Sequence, residues 1–124
     1  MSTYALVVST APSDNKTVTA LNLAETIITN GHQLHGVFFY QDGVLNANNL
    51  LQTPSDEQNL YQQWQRFQQA SNTPLFVCIS AAERRGLSDG SDSELTNNVG
   101  NAFTVSGLGE LAVISSKADK VIQL

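Results

Sequence analysis

Three short runs of uninterrupted apolar residues constrain this chain more than any other feature of it. They are Tyr4 to Ser9, Leu34 to Tyr40 with Val37-Phe38-Phe39-Tyr40 at its centre, and Leu75-Phe76-Val77-Cys78-Ile79. A strand with one face in water alternates apolar and polar residues. Runs without alternation fit strands buried on both faces, as in a parallel sheet covered by helices. The stretches between them have helical spacing. Val18, Leu21, Ala24 and Ile28 recur within Thr17 to Asn30, after a capping cluster Ser13-Asp14-Asn15, and Gly31 is placed to end that helix in a left-handed turn. Asp56-Glu57 opens a second helix, with Leu60, Tyr61, Trp64 and Phe67 on one face and a row of glutamines on the other. Pro74 ends the connection to the third run.

Beyond that run, Ala81 to Arg85 favours a helix that Gly86 breaks. Leu87 to Asn101 is rich in Ser, Asp and Asn and reads as a mobile segment or weak helix. Phe103-Thr104-Val105 is a short strand, Leu108, Leu111, Ala112 and Ser115 mark a last helix, and Lys120 to Leu124 can close the sheet. The expected fold is α/β. One domain over residues 1–124 holds a mostly parallel sheet of about five strands with helices on both faces. In such sheets chemistry sits at the carboxyl ends of the strands, which is where Cys78 falls.

Charge and cysteine content narrow the function classes. Eleven acidic and 6 basic residues leave a formal charge of −5, which argues against a surface that coats nucleic acid. No apolar run approaches the roughly 20 residues of a membrane span. The start, Met1 to Val8, has neither the basic flank nor the long apolar stretch of a signal peptide, so the expected location is the cytoplasm, away from membranes. Cys78 is the single cysteine, which excludes an internal disulfide, a zinc-binding cysteine pair and an intramolecular dithiol cycle.

A lone nucleophile remains open. Free cysteine is among the most buried residue types, so a Cys within Phe-Val-Cys-Ile is by default core filler. Against that, a thiolate is stabilised at a helix N-terminus or beside arginine, and Cys78 runs at once into Ala81-Ala82-Glu83-Arg84-Arg85. Arg84 and Arg85 are the only adjacent basic pair, although Glu83 can pair with one of them. Histidine-assisted hydrolysis is disfavoured, because His32 and His35 flank the start of the second strand, at the opposite end from Cys78. Cys78 to Arg84 also fits the Cys-five-residue-Arg phosphate loop of cysteine phosphatases. That loop needs inward-turned N–H groups and usually glycine, and Ile79 to Glu83 contains none. Gly107-Leu108-Gly109-Glu110-Leu111-Ala112 matches a dinucleotide-binding fingerprint, but it follows the wrong strand and the chain ends before the acidic residue such a site requires.

Several blocks carry a family resemblance. They are Tyr4-Ala5-Leu6-Val7-Val8; Gly31-His32-Gln33-Leu34 leading into Val37-Phe38-Phe39-Tyr40; Asp42-Gly43-Val44-Leu45-Asn46-Ala47-Asn48; Val77-Cys78-Ile79-Ser80-Ala81-Ala82-Glu83-Arg84-Arg85-Gly86; Phe103 to Gly109; and Asp119-Lys120-Val121-Ile122. Together they resemble the DsrE-like sulfur-relay proteins over nearly the whole chain. The resemblance implies a three-layer Rossmann- or flavodoxin-like domain in which Cys78 is a persulfide carrier. The activity it implies is that of a sulfurtransferase serving thiolation of the wobble uridine in tRNA. It further implies an upstream sulfur-carrier protein, a downstream acceptor and two paralogous subunits in a heterohexamer, with no metal or organic cofactor. Arg84 and Arg85 would support the anionic sulfur, and Asn46 and Asn48 would shape a loop near it. Alternatives are a subunit of dissimilatory sulfur oxidation, a non-catalytic assembly subunit with a buried cysteine, and the phosphatase.

Overall fold

A computed structural model describes residues 2–90 and 97–124. Its elements in chain order are β1 (Thr3–Val8), α1 (Asn15–Thr29), β2 (Gln33–Phe39), a 3-10 helix (Gln41–Ala47), α2 (Leu60–Ser71), β3 (Leu75–Cys78), α3 (Ile79–Arg84), β4 (Phe103–Ser106), α4 (Leu108–Lys117) and β5 (Lys120–Gln123). The five strands form one sheet in the order β4-β3-β2-β1-β5, and every pairing is parallel. The expected α/β architecture is therefore the one found.

Strand order decides which face each helix covers. From β1 to β4 the chain steps across the sheet in one direction, and α4 then carries it back to β5 beside β1. Parallel crossovers are right-handed, so α1 and α2 lie on one face and α4 on the other. Side-chain contacts agree. Phe39 meets Trp64 of α2 edge-on, with ring centroids 5.0 Å apart. Gly36, which faces the other way, lies against Ile114 of α4 and the Phe76 ring. Val8, Val37, Phe39, Val77 and Trp64 are wholly buried on the first face. The sheet there is an apolar slab about one side chain thick, and Trp64 is its largest filler. Trp64→Ala is expected to lower unfolding free energy by about 3–5 kcal/mol, measured by denaturant melts. A loss below about 1 kcal/mol would mean that the indole is not a core group.

Element boundaries differ from expectation where side chains cap or turn the backbone. In α1 the Asp14 carboxylate accepts the Lys16 amide at 2.8 Å, so the helix starts at Asn15. Its buried face is Thr17, Ala20, Leu21, Ala24 and Ile27, leaving Val18 and Ile28 only half-buried. The rotation has a polar cause: the Thr17 hydroxyl is turned inward to the Ala11 carbonyl at 2.6 Å. Gly31 takes φ +79° just past the helix, as expected. Asp56 and Glu57 do not open α2. They sit in a turn closed by Glu57 N–H on the Pro54 carbonyl at 3.0 Å. Asn59 is the true cap, its side-chain oxygen accepting the Gln62 amide at 3.1 Å.

Of the Leu87 to Asn101 segment, residues 91–96, including Ser91 and Asp92, lie outside the described residues. The described flanks are neither helical nor loose. Ser88 N–H donates to Asn98 Oδ1 at 2.8 Å, bridges join Asp89 to Asn97 and Asn48 to Val99, and Leu87 and Val99 are buried. Their apolar side chains anchor a segment whose composition alone reads as solvated.

Candidate functional site

The carboxyl ends of β2, β3 and β4 converge on one pocket of about 420 Å³. Tyr40 and Gln41 contribute from the end of β2, Cys78 to Ala81 from the junction of β3 and α3, and Gly107 and Leu108 from the turn after β4. Arg84 and Arg85 complete the wall. Cys78 is the last residue of β3 and the cap position of α3, with extended dihedrals of −63° and 120°. It is 3% exposed. The sulfur is thus largely covered, and the pocket supplies the approach to it.

The two arginines separate. Arg85 Nη2 lies 3.0 Å from Asp42 Oδ1, its Nε donates to the same oxygen at 3.0 Å, and its Nη1 donates to the Ala81 carbonyl at 3.0 Å. Its charge is committed to holding α3 against the 3-10 helix. The Arg84 side chain is exposed and makes no ion pair or hydrogen bond among the described residues. Glu83, the partner that the sequence suggested, pairs with neither. The tertiary contact with Asp42 takes that place. The expected contribution of a helix N-terminus is small. α3 has six residues, and the Cys78 side chain accepts no capping hydrogen bond.

Gln41 is one of two described non-glycine residues with positive φ, at 50°. That left-handed conformation is uncommon for a residue with a side chain and marks the pocket as a place where backbone strain is held.

Asn46 and Asn48 lie at the same sheet edge but do not line the pocket. Asn46 is wholly buried, and its Nδ2 donates to the carbonyls of Gly43 at 2.9 Å and Thr10 at 3.2 Å. Asn48 Oδ1 accepts the Leu50 amide at 2.9 Å. Both shape the loop. His32 and His35 stay at the amino end of β2, where His32 Nδ1 accepts the Ser2 amide at 3.1 Å.

The phosphatase alternative loses its geometry here. Ile79 to Arg84 is helix, so its amides point along the helix and not around an anion. The glycine pair at Gly107 and Gly109 begins α4 behind β4, not behind the first strand. Among the described residues no cluster of His, Cys, Asp and Glu could hold a metal, and no helix is long and apolar enough to cross a membrane.

Two residues that bear on the site escape sequence reasoning. Asp42 reaches Arg85 from 43 positions away, and Ser106 stands beside Cys78 in the β3–β4 register. Only the pairing of β3 with β4 could have pointed to Ser106.

Comparison with known proteins identifies the family and the fold. The profile of the DsrE/DsrF-like family matches residues 2–124. A sulfurtransferase TusD homolog of Haemophilus influenzae is 41% identical over 107 residues, which is 85% of each chain. Sulfurtransferase TusD of Pectobacterium atrosepticum is 40% identical over 122 residues, 95% of each chain. The crystal structure of the ychN protein from E. coli superposes over 100% of both chains with a TM-score of 0.83 at 24% identity, a likeness of fold. The chain accordingly belongs to the DsrE/DsrF-like family and is one of its sulfurtransferases.

Proposed function

We propose that Cys78 is the sulfur-carrying residue of this sulfurtransferase, working in a relay between protein partners. One observation carries the reading: the only cysteine of the chain stands at a strand end on a pocket whose rim holds an uncommitted cation, Arg84. In the first step the Cys78 thiolate attacks the outer sulfur of a donor persulfide, R–S–SH. The S–S bond breaks, R–S⁻ leaves, and Cys78–S–SH forms. In the second step an acceptor thiolate attacks that outer sulfur and Cys78 leaves as thiolate. Atoms and electrons balance without an outside oxidant or reductant. Every step passes through a sulfur anion, and Arg84 stabilises these by charge.

A lone thiol suits a relay, since the other cysteines belong to the partners. Ile79 and Leu108, 40% and 53% exposed, give the pocket an apolar rim against which a protein donor or acceptor can seat. The partners are an upstream sulfur carrier, a downstream acceptor and two paralogous DsrE-like subunits in a heterohexamer. The end product is thiouridine at the tRNA wobble position. With its charge of −5 this subunit leaves tRNA binding to others.

The test is transfer of radiolabelled sulfane sulfur to the chain in the presence of its partner subunits, with label that reductant removes. No reducible label on the wild type would sink the reading. Burial of Cys78 at 3% exposure favours a second reading, an assembly subunit whose cysteine only packs, and that result would install it. Arg84→Ala is expected to slow loading about three- to tenfold and Arg84→Lys to recover most of the rate. Arg85→Ala, whose charge already serves Asp42, should slow it less. Equal effects at both positions would mean that the two arginines do not divide as their contacts say.

A further inference from the structure

Ser106, a residue with no part in the steps above, is the register partner of Cys78 on the neighbouring strand β4. Cys78 and Ser106 are register partners at the carboxyl edge of the β3–β4 pair, one step beyond Val77 and Val105. Register partners in a parallel pair point to the same face, on strands about 4.8 Å apart. Both side chains therefore share the face that carries Phe76 and Thr104, the pair two positions earlier. The Ser106 hydroxyl is buried and has no hydrogen-bond partner among the described residues. A hydroxyl removed from water without a partner costs free energy, and such groups in folded proteins are few. Of the three buried polar side-chain atoms in this condition among the described residues, only Ser106 Oγ belongs to a register neighbour of the cysteine.

Resting on the reading of Cys78 as sulfur carrier, we propose that Ser106 is a positioning residue whose hydroxyl donates a hydrogen bond to the Cys78 sulfur when that sulfur is charged. In the resting chain the hydroxyl makes no hydrogen bond to the neutral thiol, a weak acceptor. A turn about its χ1 would bring it to the sulfur anion, to which hydrogen bonds are about twice as strong as neutral ones. The hydroxyl therefore gains its partner in the thiolate that attacks the donor and again in the thiolate that leaves when the acceptor takes the outer sulfur. It holds that anion on the sheet side, while Arg84 acts from the helix side. An interaction made with the charged form and not with the neutral one speeds reaction instead of stabilising the resting chain. The titratable groups that line the pocket with Cys78 are Tyr40, Arg84 and Arg85, and none comes from β4.

The experiment needs no sulfur donor. Iodoacetamide alkylation of Cys78 is followed against pH in the full chain, its Ser106→Ala variant and its Ser106→Thr variant. Ser106→Ala is expected to slow alkylation about three- to tenfold near neutral pH, with an unchanged plateau at high pH where all the sulfur is thiolate. Ser106→Thr keeps a hydroxyl on a residue suited to strands and should restore the neutral rate. The melting temperature of Ser106→Ala should equal or exceed that of the wild type, because the group removed has no partner to leave behind. A pH profile of Ser106→Ala that superposes on the wild type overturns the proposal. So does a shifted profile with a lowered melting temperature that Ser106→Thr does not correct, since the role is then structural. Loss of the relay reads out separately: a shifted profile in a chain that gains no sulfane label would end the sulfur-carrier reading and leave the Ser106–Cys78 pairing standing.

Discussion

Cys78→Ser is expected to gain no reducible sulfur at all from a labelled sulfane donor, where the wild type gains up to one atom per chain. The substitution removes the only thiol in the chain, so no second cysteine can substitute for it. A serine hydroxyl at neutral pH is neither ionised nor a useful nucleophile toward divalent sulfur without a base. Neither histidine lines the pocket to serve as one. The side chain is also part of the apolar core cluster, with Val77, Ala81 and Ala82 as companions there. A buried hydroxyl in its place costs about 1–3 kcal/mol if it finds no partner. Cys78→Ala avoids that polar group and separates lost chemistry from lost folding. Both variants should melt cooperatively, bind partner subunits as the wild type does, and remain unlabelled. Label on either one at the wild-type level would place the sulfur elsewhere and end the mechanism proposed for Cys78.

Gly43→Ala is expected to destabilise the chain by about 3 kcal/mol or more, enough to lower the melting temperature by roughly 10 °C. The 3-10 helix crosses the carboxyl end of β1 so closely that a Cβ on Gly43 would overlap the Val8 carbonyl oxygen and come within 2.8 Å of the carbonyl carbon. The obstacle is backbone, which no rotamer change can clear. The surroundings are also pinned. The Val8 carbonyl accepts the Tyr40 amide at 2.9 Å, Gly43 N–H donates to the Tyr40 carbonyl at 2.8 Å, and Asn46 ties the Gly43 carbonyl to Thr10. Gly109→Ala is the matched control. Beyond its chain neighbours and the backbone of its own helix, no atom lies within 4 Å of its Cβ position in α4, and that substitution should raise stability by about 0.5–1 kcal/mol. Thermal melts of the two variants decide it. A Gly43→Ala chain that melts within 2 °C or so of wild type would show that the loop yields. Pocket geometry is at stake as well, since Asp42 anchors Arg85 from the same turn.

Cys78 at a strand end, the parallel sheet around it and the family were all legible in the sequence by itself. The reason is local. Apolar runs without alternation report strands buried on both faces, helical spacing reports the helices between them, and turn residues mark where strands stop. The Cys-Ile-Ser-Ala-Ala-Glu-Arg-Arg-Gly block lies within one strand–helix junction, so its resemblance to known proteins survives in one line of letters. Where local signals competed, boundaries moved. Asp56 and Asn59 are both good caps, and the turn closed on Pro54 gave the position to Asn59.

The tertiary structure alone decided how charge and hydrogen bonds are shared at the site. Arg84 and Arg85 are adjacent and equivalent as letters, and only the packing of α3 on the 3-10 helix commits Arg85 to Asp42 and leaves Arg84 over the pocket. Asn46 matched Asn48 in the loop motif, yet it is turned wholly inward while Asn48 stays half-buried at the edge. Ser106 stands 28 positions from Cys78 and became its neighbour only when β4 paired with β3 in a particular register. Local pattern encodes which residues form an element and which face is apolar. Strand order and register come from closing the whole core at once, and they determine which polar groups meet at Cys78.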